Sequence, residues 1–158
     1  MAEGMDDTLQ RWQEIRRTLE STIAGAGDAR LDHRRTPASM TVRETVHHIV
    51  EANLVASTIA IAALARPGTV YDWSWLMPGG SWMQNIGYGR LPLATSLDLL
   101  RAVASHLAAV LAAIPDALDR QIQLRDAPGA DTYSKSVRDI LHDEVEHAAS
   151  HLADLGMR

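Results

Sequence analysis

The sequence predicts an all-α fold, a bundle of four long helices, on three observations. Apolar residues recur at helical spacing in four separate windows, no stretch reads as a credible strand, and no long internal repeat is present. With 158 residues the chain has the length of one domain, read as spanning 1–158.

The elements follow in order. Residues from Asp6 to about Ala24 carry Leu9, Trp12, Ile15, Leu19 and Ile23 one helical turn apart, and Asp6, Asp7 and Thr8 put acid and a cap at the start. Gly25 to Ser39 contains Pro37 and mixed charge without a period, which predicts a loop. Helix two opens on Thr41-Val42-Arg43-Glu44, a capping box in which hydroxyl and carboxylate each satisfy a free backbone N–H, and runs to Arg66 before Pro67 and Gly68. The connection from Pro67 to Pro92 is long and rich in Gly and aromatic residues, with room for a short helical turn. Leu97, Leu99, Leu100, Val103, Leu107, Val110 and Leu111 define helix three over Thr95 to Ile114, which Pro115 ends. Asp116 to Tyr133 reads as a second irregular connection. Helix four begins at Ser134 or Ser136 and reaches about Leu155, where Gly156 is placed as a stop.

Composition narrows the function. A net charge of −5 offers no basic surplus for nucleic acid or an anionic membrane. The acidic N-terminal MAEGMDDTLQ lacks the pattern of a secretory signal, so a cytoplasmic protein is expected. The apolar run from Ala52 to Ala65, interrupted by Asn53, Ser57 and Thr58, reads as a buried helix. No Cys stands beside 7 His, which excludes disulfides, cysteine nucleophiles and iron–sulfur clusters and restricts any metal to nitrogen and oxygen ligands.

The helical stripes sort the histidines. On helix four the core stripe is Val137, Leu141, Val145, Ala148, Leu152 and Leu155, and His147 and His151 lie together on its edge, four residues apart. His142 falls on the opposite flank with Glu146. On helix two His48 shares an apolar stripe with Thr45, Ala52, Val55 and Ile59, whereas His47 lines up with Glu51 and Thr58 and reads as solvated. His106 is expected to be buried and hydrogen-bonded, and His33 to be exposed. Three inward imidazoles leave a divalent ion open to water or substrate, the arrangement of a catalytic rather than a closed structural site. Asp143 and Asp154 are placed to accept from the imidazoles, although either also reads as plain surface charge.

These residues resemble the DinB and YfiT-like family of bacterial four-helix-bundle metalloproteins. The resemblance rests on Thr41, Val42, Arg43, Glu44 and His48, and on Ser136, Val137, Arg138, Asp139, His147 and His151, and covers essentially the whole chain. It implies an up-down-down-up bundle, a metal held by His48, His147 and His151, and frequently a homodimer. Characterised relatives are transferases or isomerases that use bacillithiol or mycothiol, and many others are assigned only as metal-dependent hydrolases. Met40, where the family often has Trp, and Leu152-Ala153-Asp154, in place of a Gly-Gln ending, depart from the pattern.

The expected function is therefore a metal-dependent enzyme that activates a thiol or a water, with zinc as the first choice of ion and nickel, iron or manganese also accepted by three imidazoles. Without Cys in the chain, a thiol nucleophile has to arrive as a small-molecule cosubstrate. Trp73, Trp75, Trp82 and Arg90, with Tyr71 and Tyr88, are candidates to line the substrate pocket, against simple packing over the bundle end or a dimer contact. Two other classes stay open. A ferritin-like di-iron centre draws on Glu44 to His47 and Glu144 to His147, both E-x-x-H, but helix three contains no Glu to complete it. A non-catalytic bundle would keep its histidines merely buried.

Overall fold

The computed structural model describes residues 3–76 and 85–155. Four long helices dominate: α1 (Glu3–Ile23), α3 (Val42–Ala65), α4 (Leu93–Ala113) and α5 (Val137–Asp154), with a short α2 (Asp28–Leu31) in the first loop. The long helices form the up-down-down-up bundle. α3 lies between α4 and α5, and α1 closes the bundle against the other side of that pair. Side-chain contacts give the directions. His47, near the start of α3, bonds Ser96 near the start of α4, so these two run parallel. His48 meets His147 near the end of α5, so α3 and α5 run antiparallel. Two parallel neighbours require a return along their full length, which is why the connection between α3 and α4 is long.

Local sequence explains where the central helices begin. Thr41 Oγ1 accepts from the Glu44 amide at 3.0 Å, and Glu44 Oε2 accepts from the Thr41 amide at 2.8 Å. Ser136 and Asp139 build the same reciprocal cap at the start of α5. The core is aliphatic and runs the length of the bundle, with Leu19, Val46, Ile49, Leu100, Leu107, Leu111, Val137 and Leu141 almost wholly inaccessible. Two helices, Val42–Ala65 and Leu93–Ala113, are long and apolar enough to cross a membrane by length and composition; the first is the central core helix.

The expectation of no strands is corrected. β1 (Val70–Asp72), β2 (Gln121–Arg125) and β3 (Tyr133–Ser136) form a three-stranded sheet in the order β1-β2-β3, parallel between β1 and β2 and antiparallel between β2 and β3. The segment from Asp116 to Tyr133 is thus not irregular throughout. Only Ile122 and Leu124 of β2 are buried, too short an alternation to stand out in the sequence, and its parallel partner lies about fifty residues upstream. The first loop likewise contains α2 and an Arg34–Thr41 bridge, and the connection from Pro67 to Pro92 holds a 3-10 turn at Tyr88–Arg90. Leu99, counted with the core stripe of helix three, is 37% exposed. Gly156, the expected stop, lies outside the described residues.

Candidate metal centre

The antiparallel packing of α3 on α5 brings the start of one helix to the end of the other, and there three histidines converge. His48 Nε2 lies 3.1 Å from His147 Nε2, and His151 Nε2 lies 3.1 Å from the same atom. The rings stand nearly perpendicular to one another, at 79° for His48 and His147, 83° for His48 and His151, and 90° for His147 and His151. All three are half-buried, and their ligand atoms lie within 4.8 Å of one another.

Hydrogen bonding alone explains this geometry poorly. Glu144 Oε2 sits 3.2 Å from His147 Nδ1. An ionised carboxylate only accepts, so Nδ1 carries the proton and Nε2 presents a lone pair to both neighbours. One lone pair serves two N–H donors badly, whereas a cation among three lone pairs suits them all. Two nitrogens bound to one ion at about 2.0–2.1 Å stand roughly 3–3.4 Å apart, which matches the observed spacing. The residues present therefore fit a divalent ion.

Burial supplies the electrostatics. It pushes the His48 pKa down to about 4, with His151 and His147 adding to the effect. His151 is lowered by the same causes, burial first and then His147. Both rings are neutral near pH 7, the form that binds metal. Glu144 is 8% exposed, and burial raises its pKa against the opposing pull of His147 and Asn53. Asn53, itself buried, donates from Nδ2 to Glu144 Oε1 at 2.6 Å and to the Ile49 carbonyl at 3.0 Å. This Asn53–Glu144–His147 chain ties α3 to α5 and fixes one imidazole from behind.

Several sequence expectations are placed differently. Asp143 is exposed and binds Lys135 instead of a histidine. Asp154 faces Arg35 at 3.8 Å, and only its charge acts on His151. The acid bonded to a cluster histidine is Glu144, whose signal was the E-x-x-H spacing that the sequence tied to a di-iron centre. His47 is 1% exposed, not solvated: Nδ1 bonds Ser96 Oγ at 2.9 Å, Nε2 bonds the Leu91 carbonyl at 3.2 Å, and the ring stacks on Tyr88. α3 is covered on two faces, by α4 and by α5, so a stripe analysis that assumes one wet face beside the apolar one misreads it. His106 is exposed rather than buried, because the face of α4 that carries it points out of the bundle.

The aromatic candidates do not gather at the cluster. Trp73 and Trp75 follow the far end of α3, where the Trp73 amide bonds the Arg125 carbonyl beside the sheet. From His48 to Ala65 is roughly 25 Å along the axis at about 1.5 Å per residue. Tyr71 reaches back only to Thr58, at 2.8 Å. Arg90 is exposed on the 3-10 turn that covers His47, and Trp82 lies outside the described residues. The cleft next to the histidines is built instead by the loop before α3. It holds about 410 Å³ and is lined by residues including Met40, Val42, Thr45 and His151.

The comparisons with known proteins agree with this architecture. The structure matches that of YfiT from Bacillus subtilis, described as a probable metal-dependent hydrolase with an unusual four-helix bundle topology, at a TM-score of 0.72 and 17% identity, over 97% of this chain and 88% of that one. A search of curated proteins finds no match. The family model of the DinB superfamily matches residues 11–155. On that match over nearly its whole length, the chain belongs to the DinB superfamily.

Proposed function

We propose that the protein is a divalent-metal enzyme whose ion is held by His48, His147 and His151. The observation that carries this reading is the meeting of three imidazole Nε2 atoms from two helices, two of them 3.1 Å from the third. A divalent ion bound there supplies Lewis-acid activation of a water or a thiol at neutral pH. The chain does the rest. Burial keeps His48 and His151 neutral, Glu144 holds the Nδ1 proton of His147, Asn53 holds Glu144, and the cleft beside His151 admits a small molecule. Zinc is the proposed ion, on the strength of a small all-nitrogen ligand set. The expected outcome is one ion per chain by elemental analysis of untagged protein and none in the His48→Ala, His147→Ala, His151→Ala triple variant; equal metal in both proteins refutes the site.

The nucleophile proposed is a low-molecular-weight thiol that enters as a cosubstrate, since the chain has no Cys of its own. Hydrolysis is the second reading, favoured by the likeness to YfiT. Zinc-loaded protein given a small thiol and an electrophile, and separately an ester or amide without thiol, separates them. Thiol-dependent turnover supports transfer, and turnover without thiol moves the assignment to hydrolase.

A further inference from the structure

The cleft beside the cluster has a chemical character that metal binding does not require. Its volume of about 410 Å³ is in the range of small-molecule sites. His151 lines it together with apolar Met40, Val42 and Leu155, all half-buried, while Arg35 and Asp154 line it on the exposed side.

Charge points to the occupant. Imidazole ligands bring no negative charge, so an ion among them keeps its full charge toward the cleft. Glu144, the carboxylate bonded to the cluster, divides its two oxygens between His147 and Asn53 and does not line the cleft, and its single negative charge offsets only half that of a divalent ion. Arg35 is loosely held: its guanidinium stands 3.8 Å from the Asp154 carboxylate and 3.4 Å from the Asp154 carbonyl, with the side chain 68% exposed. The adjacent Arg34 is tightly engaged by Glu44 at 3.0 Å and the Ser39 carbonyl at 2.6 Å. A guanidinium pairs best with a carboxylate as a two-pronged contact at about 2.7–2.9 Å, which Arg35 lacks. Arg35 and Asp154 cancel in formal charge, and the ion leaves the cleft positive.

We infer that the cleft takes a small carboxylic acid with an aliphatic body, its carboxylate paired with Arg35 and its apolar part against Met40, Val42 and Leu155, beside His151. This rests on reading the three histidines as a metal centre, and the test separates the two. Zinc content by mass spectrometry reports on the metal alone. Calorimetric titration of 4-methylpentanoate and of its uncharged isostere 4-methylpentanamide, into protein with and without zinc, reports on the cleft. The acid is expected to bind zinc-loaded protein about tenfold or more tighter than the amide. Arg35→Gln abolishes that preference, and Arg66→Gln, at the opposite end of α3, keeps it. Equal binding of acid and amide, a preference that survives Arg35→Gln, or no binding of the acid overturns the inference. Protein that takes up no zinc yet prefers the acid through Arg35 refutes the metal centre and supports the cleft assignment.

Discussion

Adjacent residues in this protein have opposite jobs. Successive side chains on a helix point about 100° apart, so His47 faces α4 while His48 faces α5. His47 is a structural group, bonded through both ring nitrogens and stacked on Tyr88; His48 opens onto the cluster. A series of single variants titrated with zinc makes the distinction measurable. His48→Ala is expected to lose tight binding. His47→Ala is expected to keep it while losing about 1–3 kcal/mol of stability, the cost of leaving buried polar partners unmatched. Glu144→Gln is expected to weaken zinc by roughly 10–100-fold, the usual effect of removing an acid behind a histidine ligand, with Asp143→Asn unchanged. Spacing alone, i to i+4 on α5, revealed His147 and His151. It did not separate Glu144 from Asp143, because which acid is buried depends on the helix packed alongside.

Among the elements, the capped starts of α3 and α5 were legible because a capping box is a local chemical exchange among four consecutive residues. The sheet was not. β2 has two buried apolar residues and takes its partners from segments before α4 and before α5, so its stability is tertiary. Ile122 is completely buried in it. Ile122→Ala is expected to cost about 2–5 kcal/mol in chemical denaturation while zinc stoichiometry stays at its original value, since the sheet and the cluster sit at opposite ends of α3. A variant that loses both together would show that the two ends are coupled. The loop before α3 also gained a role that its irregular sequence did not announce: it walls the cleft with Met40.

For the whole molecule, the histidines make stability depend on pH. His47, His48 and His151 have pKa values lowered in the folded state, burial being the first cause in each, so the unfolded chain binds more protons than the folded one through this range. Their contribution is complete above the ordinary histidine value of about 6.5 and is lost as pH falls through the folded values, about 4 for His48. Glu144, raised by burial, acts the other way: it stabilises at low pH and loses that as pH rises through its folded value. Between pH 7.5 and pH 5 the three histidine contributions fall and that of Glu144 rises. Chelator-treated protein is therefore expected to melt at a lower temperature at pH 5 than at pH 7.5, and added zinc to raise the melting temperature more at pH 7.5, where no proton competes for the ligands. An unchanged melting temperature between these two pH values would overturn that expectation, and the same comparison in Glu144→Gln, which removes the opposing carboxyl, isolates the histidines. By itself, the sequence determined the four helices, the caps of the central pair and the helix faces that carry the three histidines, because periodicity and capping act within a few residues. Only the tertiary structure decided that His47 is buried, that Glu144 and not Asp143 backs the cluster, that a sheet closes the far end, and that the cleft lies on the loop before α3. Each of those depends on contacts between segments distant in the chain, whose free energy exists only once the helices have packed.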